Sequence, residues 1–184
     1  MSMKMNMTRI VLAAAALMMA LPVYAQRGRT SPHEAAGGWI QGEGGARARV
    51  TVYYGRPFAK GRTIWGELVP YGKPWRLGAD EATLLVSDRS LQFGDVTVPA
   101  GAYSLYLLPQ ADGTAKLIIN KQVGQWGTQY DEKQDLGRVD AKKETLNEPV
   151  EQLTIAVDRN PSGGGLLKIS WDKTQYSVPF TVQR

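Results

Sequence analysis

The stretch Ala46–Tyr54, A-R-A-R-V-T-V-Y-Y, decides the fold class of this chain. Small or apolar side chains alternate in it with polar ones, and alternate residues of an extended backbone lie on the same face. One face carries Ala46, Ala48, Val50, Val52 and Tyr54, and the other carries Arg47, Arg49, Thr51 and Tyr53. This period of two predicts a β-strand that is buried on one face.

Further short segments of β-type composition follow along the chain, separated by turn residues such as Gly94-Asp95 and Asp172-Lys173-Thr174. The predicted strands are Thr83–Ser87, Leu91–Phe93, Val96–Val98, Ala102–Leu108, Ala115–Asn120, Val150–Asp158, Leu166–Trp171 and Tyr176–Val182. Many short strands with turn chemistry between them predict an all-β fold. We expect a single-domain antiparallel β-sandwich, jelly-roll-like, with little helix.

A long segment between the first two strands, Tyr54 to Thr83, reads Y-G-R-P-F-A-K-G-R-T-I-W-G-E-L-V-P-Y-G-K-P-W-R-L-G-A-D-E-A-T. Its glycines and prolines disfavour both helix and strand. Its many aromatic residues are not typical of a disordered linker. Long ordered loops in compact domains are often functional, so the candidate site is predicted in the part that we call the Arg56–Glu81 loop.

The N-terminus has the pattern of a secretory signal peptide over residues 1–25. Lys4 and Arg9 precede the apolar run Ile10–Leu21, and Val23-Tyr24-Ala25 offers a cleavage site. The apolar run is too short for a bilayer, which needs about 20 residues, although a retained anchor is the alternative. No cysteine is present to carry a lipid. We therefore expect a periplasmic or secreted protein with no transmembrane segment after cleavage.

The remaining chain divides by composition into two parts. Residues 26–45 are polar and rich in glycine, which predicts a flexible N-terminal arm that includes His33. Residues 46–184 hold the strand patterns and form the predicted β-sandwich domain. A domain of this length buries enough apolar surface to fold without disulfides.

The composition excludes several kinds of chemistry. The chain has no cysteine and a single histidine, so it lacks the ligands of zinc and iron–sulfur sites and the base of a Ser–His–Asp triad. We expect no metal and no cofactor. The net charge of +5 is spread over surfaces of mixed sign, which does not indicate binding to nucleic acid.

Aromatic and arginine side chains are interleaved in the Arg56–Glu81 loop. Trp65 and Trp75 lie close in sequence to Arg62 and Arg76. Aromatic faces beside guanidinium groups bind sugar rings or aromatic ligands, while arginine takes a carboxylate or phosphate. The alternative is structural, since tryptophans in loops of β proteins also pack into small local cores. With Glu81 to orient them, these four residues are the predicted ligand-binding set.

Carboxylates in the same loop leave an enzymatic alternative open. Asp80 and Glu81 are adjacent, and neighbouring side chains of an extended chain point to opposite faces. A salt bridge to Arg76 or Arg62 is one interpretation of them. Glycoside hydrolysis instead needs two carboxyl groups facing each other across the scissile bond, with Glu67 as a possible second group.

A second polar and aromatic cluster follows the strand Ala115–Asn120. It contains Gln125-Trp126-Gly127 and the acids Asp131, Glu132 and Asp135. The acids do not have the spacing of a calcium-binding EF-hand loop and are read as solvated loop residues. Trp126 is predicted to pack beside the Arg56–Glu81 loop, because the two segments have similar composition.

Several blocks resemble a bacterial family, domain-of-unknown-function family 2911, over about Val50 to Val182. They are the loop segment from Arg56 to Thr83, V-P-A-G-A-Y-S-L-Y-L-L-P, I-I-N-K, Q-W-G-T-Q-Y-D-E-K-Q-D and W-D-K-T-Q-Y-S-V-P-F. The resemblance implies an exported protein of Gram-negative bacteria with no assigned activity. One departure is Asp80, where the family pattern is associated with asparagine.

We therefore expect an exported envelope protein, a non-catalytic β domain that binds a ligand or partner through Arg62, Trp65, Trp75, Arg76 and Glu81. The partner would be a small molecule, a glycan or an envelope protein. The alternatives are a carboxylate-dependent glycan hydrolase and a structural or assembly module.

Overall fold

The structure is a computed structural model that describes Arg29 and residues 31–184. The predicted signal peptide, residues 1–25, lies outside the described residues. The strands are β1 (His33–Gln41), β2 (Arg47–Gly55), β3 (Thr83–Ser87), β4 (Leu91–Phe93), β5 (Val96–Val98), β6 (Gly101–Pro109), β7 (Ala115–Asn120), β8 (Asp135–Asp140), β9 (Lys142–Arg159) and β10 (Gly165–Val182). Helix is confined, in this part of the chain, to two short 3-10 turns, Glu43–Gly45 and Glu132–Gln134.

The strands form two antiparallel sheets, which confirms the predicted all-β sandwich. The larger sheet has the order β1-β2-β3-β6-β7-β8, and the smaller sheet has the order β5-β4-β10-β9. The sheets meet at both edges, where β1 contacts β9 and β5 contacts β8. The long β9–β10 pair carries irregularities in register near Ser170, Asp172 and Thr174.

The core lies between the two sheets and is built by the alternation of apolar side chains. In β2 the residues Ala48, Val50, Val52 and Tyr54 are buried, as the period of two predicts. Leu105, Leu107, Leu117 and Ile119 face the same core from β6 and β7, and Ile155, Ile169, Trp171 and Phe180 face it from β9 and β10. Burying each large side chain contributes roughly 1.5–3 kcal/mol before the entropy of ordering it is subtracted.

The structure differs from the sequence-based prediction in four elements. Strand β9 begins at Lys142 and not at the predicted Val150. The flexible-arm prediction for residues 26–45 is wrong for His33–Gln41, which pairs along its whole length with β2. The two predicted strands around Asp172-Lys173-Thr174 are one strand, β10, because an irregularity with Asp172 at φ +50° bends it without ending it. Strand β8 was not predicted, because its sequence D-L-G-R-V-D has little apolar content.

Within the described residues, no helix has the length and apolar character needed to cross a membrane.

Candidate functional site

The Arg56–Glu81 loop is ordered and folds over one end of the sandwich. Trp75 exchanges two backbone hydrogen bonds of 2.8 Å with Leu107, so this part of the loop continues the sheet beside β6. The amide of Ala59 donates to the carbonyl of Glu151 on β9 at 2.7 Å. The loop backbone is therefore attached to both sheets.

An open cleft of about 680 Å³ lies between this loop and its neighbours. Its lining comes from loop segments 57–62, 68 and 74–80, from the connection 127–130, and from Ser31 and Trp171. This volume lies within the usual range for small-molecule sites. Of the five predicted site residues, Arg62, Trp75 and Arg76 line the cleft.

Three aromatic residues form a compact layer at the base of the cleft. Trp75 stacks on Trp171 with 5.7 Å between ring centroids and 17° between planes. Trp65 meets Trp75 edge to face at 5.9 Å and donates its indole N–H to the carbonyl of Trp171 at 3.2 Å. Trp65 is not among the lining residues and instead packs against Trp75 from within the domain. This position agrees with the alternative interpretation, in which the tryptophans of the loop form a small local core.

Three cations, Lys60, Arg62 and Arg76, line the cleft. Arg62 donates to the carbonyls of Phe58 and Ala59, and Arg76 donates through Nε to the carbonyl of Gly78 at 3.1 Å. Within the described residues, the charged side-chain nitrogens of these three cations have no carboxylate oxygen within 4 Å. The carboxylate of Glu151 lies beside Lys60 but accepts from its backbone amide, at 2.8 Å.

The backbone around Arg76 is held by buried hydrogen bonds. The amide of Thr83 donates to the carbonyl of Arg76 at 3.3 Å, and its hydroxyl donates to the carbonyl of Leu77 at 2.9 Å. Leu77 and Asp80 have φ of +55° and +66°. Such left-handed conformations cost energy for most residues and tend to cluster at functional sites.

The carboxylates of Asp80 and Glu81 both approach His33, because Asp80 Oδ2 lies 3.3 Å and Glu81 Oε2 lies 3.7 Å from His33 Nε2. Asp80 lines the cleft, while Glu81 also pairs with Arg29 and is not among the lining residues. Burial raises the pKa of Glu81, but the hydrogen bond from Arg29, a backbone hydrogen bond and the charges of Arg29 and His33 together outweigh it, so the pKa lies below its usual 4.5. Glu67 is exposed and is also not part of the lining. Asp80 is thus the one carboxylate that lines the cleft among the described residues.

The segment 125–127 packs beside the Arg56–Glu81 loop, as predicted for Trp126. The amide of Gly127 donates to the carbonyl of Asp80 at 2.9 Å, and that of Ala82 donates to the carbonyl of Gln125 at 3.2 Å. The side chain of Trp126 itself stays 43% exposed. Backbone pairing, more than ring packing, joins the two segments.

The acids after this segment form a hydrogen-bonded network. Asp135 accepts from Arg138, from Asn120 and, at 2.7 Å, from the hydroxyl of Tyr130. Burial and the bond to Asp135 raise the pKa of Tyr130 to about 12. The predicted solvated state therefore does not hold for Asp135. In the part of the chain that the structure describes, no cluster of three His, Asp or Glu side chains could hold a metal ion.

Sequence reasoning missed four residues that shape the site: Lys60, Trp171, Tyr130 and His33. Lys60 had a local signal, since it lies between Arg56 and Arg62 in the same loop. Trp171 and Tyr130 reach the cleft only because the irregular middle of β10 and the connection after β7 lie beside the loop. His33 reaches Asp80 through the register of β1, in which His33 is opposite Gly55.

Comparison with known proteins agrees with the resemblance noted in the sequence. No curated protein and no solved structure matches the chain. Residues 39–180 match a family described as "Protein of unknown function (DUF2911)". The matched range includes the whole Arg56–Glu81 loop and every lining residue of the cleft except Ser31. Because the match covers most of the chain, this protein belongs to the DUF2911 family.

Proposed function

We propose that the protein is a non-catalytic binding domain that holds a small anionic ligand in the cleft at the end of the sandwich. The observation that carries this proposal is the set of three lining cations, Lys60, Arg62 and Arg76, whose charged side-chain nitrogens have no carboxylate oxygen within 4 Å among the described residues. Unpaired cations around a concave surface attract and retain anions.

Arginine geometry supports an oxyanion as the charged group. Arg76 uses Nε to bond its own loop, which leaves both terminal Nη groups for a second partner. Two parallel N–H donors match the two oxygens of a carboxylate or phosphate. Charge-assisted hydrogen bonds of this kind are worth about 1.5–3 kcal/mol each.

The arrangement of carboxylates favours binding over glycoside hydrolysis. Hydrolysis by the usual routes needs two carboxyl groups about 5–9.5 Å apart across the substrate bond. Asp80 reaches the cleft, whereas Glu81 is paired with Arg29, and Glu67 is not part of the lining. A pair of catalytic acids in the cleft is therefore not supported.

Calorimetric titration with benzoate, glucuronate and inorganic phosphate tests the proposal. We expect the full-length protein to bind at least one of these anions and Arg76→Ala to weaken the binding about tenfold or more. Arg159→Ala, which removes an exposed arginine far from the cleft in sequence, is the matched control and should bind like the wild type. If no anion binds, or if both variants lose affinity equally, the cleft is not an anion site.

We also propose that the protein works outside the cytoplasm, in the periplasm or after secretion. The charged start, the apolar run and the small residue Ala25 support cleavage by a signal peptidase. Expression in a Gram-negative host followed by fractionation and N-terminal sequencing tests this. A mature N-terminus at Gln26 in the periplasmic fraction is expected, and an uncleaved cytoplasmic chain would contradict it.

A further inference from the structure

We propose that the anion taken by the cleft is amphipathic, a carboxylate joined to an apolar aliphatic or aromatic body. This inference rests on the proposed function and adds the chemical class of the ligand. It separates this class from hydrophilic anions such as sugar acids and inorganic phosphate. The observation behind this inference is the apolar part of the cleft lining, which the binding of an anionic group alone does not explain.

Large apolar side chains are exposed on the rim of the cleft. Phe58 is 38% exposed and Leu68 is 40% exposed, and both line the cleft with Lys60 and Arg62 close to them in sequence. Covering apolar surface contributes about 25 cal/mol per Å² removed from water. A ligand with an apolar body would cover these side chains while its charged end reaches the cations.

Part of the aromatic base of the cleft is not available to a sugar ring. One face of Trp75 is stacked on Trp171, and Trp65 meets Trp75 edge to face at 5.9 Å. Sugar binding would also need side chains that accept hydrogen bonds from many hydroxyl groups. Among the lining residues described, the side-chain acceptors are the carboxylate of Asp80 and the hydroxyls of Ser31, Thr128 and Tyr130, and no asparagine or glutamine takes part.

A chain-length series separates the two parts of the ligand. Calorimetry with butyrate, hexanoate and octanoate below their micelle concentrations should show affinity rising about two- to fourfold per methylene, since a fully buried methylene is worth about 0.8 kcal/mol. Octanamide, which has the same body without charge, should bind at least tenfold more weakly than octanoate.

Variants assign the two effects to different residues. The double variant Phe58→Ser/Leu68→Ser should flatten the chain-length dependence, and both side chains are exposed enough for the fold to tolerate the change. Arg76→Ala should lower the affinity for every carboxylate of the series by the same factor and leave the dependence of affinity on chain length unchanged. Equal affinity across the series, or glucuronate binding more tightly than octanoate, would overturn the amphipathic class and leave anion binding standing. Failure of every anion would instead overturn the proposed function.

A different observation carries a second inference: we infer that Gly127 is a positioning residue for Arg76. A methyl group on Gly127 would lie 2.1 Å from Cδ, 2.7 Å from Cβ and 2.9 Å from Cγ of Arg76. Gly127 is not in the left-handed region, so its backbone accepts alanine. The absence of a side chain at Gly127 is what lets Arg76 lie across this segment.

Arg76 cannot avoid such a methyl group by a change at its tip. The affected atoms begin at Cβ, and the backbone of Arg76 is held by Thr83 and by the neighbouring Trp75–Leu107 pair. Alanine at Gly127 would therefore force the whole Arg76 side chain, or its backbone, to shift.

A double-mutant cycle tests this packing. Gly127→Ala should lower the midpoint of urea unfolding in the wild type and leave it unchanged in an Arg76→Gly background, where all three atoms are absent. Arg76→Ala is unsuitable because it keeps Cβ. Gly38→Ala, at a position with no heavy atom within 4 Å of the added methyl, is the control. An equal loss in both backgrounds would show that Gly127 does not act through Arg76.

Ligand selectivity distinguishes positioning from simple destabilisation. Gly127→Ala should reduce the ratio of octanoate to octanamide affinity about fivefold or more at a temperature where the variant is fully folded. Gly38→Ala should keep the wild-type ratio. An unchanged ratio in Gly127→Ala would overturn the role in anion recognition even if the stability cycle shows coupling.

Discussion

Asp80 combines a demanding backbone conformation with a place in the cleft. Its φ of +66° lies in the left-handed region, which asparagine and aspartate enter more easily than other residues with a Cβ. The conformation explains why both aspartate and asparagine fit position 80. Asparagine is the residue associated with the family pattern at this position. The backbone requirement and the charge can therefore be separated by substitution.

Asp80→Asn should keep the fold and raise the affinity of the cleft for anions about two- to fivefold, because it removes the one carboxylate among the described lining residues. Asp80→Ala should destabilise the protein by about 1 kcal/mol, because alanine accepts the left-handed conformation poorly. Calorimetry with octanoate and urea unfolding measure the two effects. Lower anion affinity in Asp80→Asn would contradict a cleft in which cations dominate.

Tyr176 shows how burial in the aromatic layer affects stability at high pH. It meets Trp65 edge to face at 5.2 Å, and burial raises its pKa from 10.0 to about 12. The folded state therefore holds this proton more tightly than the unfolded state. The resulting stability is complete below pH 10 and is lost as the pH rises towards 12.

Tyr176→Phe should make the loss of stability between about pH 10 and 12 less steep, by up to one proton, because the variant has no phenol to ionise. Urea unfolding at several pH values measures the slope, and Tyr53→Phe, which removes an exposed hydroxyl, is the control. An unchanged slope in Tyr176→Phe would show that this phenol does not ionise more readily on unfolding.

Strand β1 shows where sequence reasoning was insufficient at the scale of elements. The strands β3, β4, β5 and β7 were predicted with their observed bounds, because each is a short apolar run between turn residues. In β1, A-A-G-G has neither alternation nor bulk, and Gly37 passes so close to β2 that an added methyl would lie 2.1 Å from the carbonyl of Val50. Its pairing partner stabilises this strand, and a partner is not visible in a local sequence pattern.

Only part of the candidate site could be predicted, because a local sequence pattern does not show which distant residues meet in the fold. Arg62, Trp75 and Arg76 were found because they lie in one unusual loop. Trp171 and Tyr130 come from distant parts of the chain and meet the loop only in the folded sandwich. Trp65 carries the same local signal as Trp75, and only its hydrogen bond to Trp171 shows that it supports the site from beneath.

The contact between the N-terminal segment and the loop should stabilise the protein above acidic pH. The pKa of Glu81 is lowered, so its ionised form stabilises the fold above about pH 4.5 and this contribution is lost as the pH falls further. Glu81→Gln should therefore reduce the steepness of acid destabilisation. Glu148→Gln, at an exposed position on β9, is the control, and equal behaviour of the two variants in acid unfolding would contradict the coupling.

At the scale of the whole molecule, the sandwich provides the frame, and the Arg56–Glu81 loop provides most of the side chains that line the cleft. Both sheets hold the loop, through Leu107 on β6 and Glu151 on β9. The backbone that carries the cations of the cleft is therefore held in place, so the proposed binding would require little ordering of the loop backbone. The net charge, +5 for the whole chain and +3 after the proposed removal of residues 1–25 with Lys4 and Arg9, adds a weak attraction for anions over longer distances.

The central claim is that the cleft selects an anion, and a comparison of benzoate with benzamide by ¹H–¹⁵N NMR tests it most directly. The two molecules share a ring and differ in charge. We predict that benzoate shifts the signals of residues 57–62, 74–80 and 127–130 and binds at least tenfold more tightly than benzamide. Equal affinities, or shifts confined to another surface, would contradict the account.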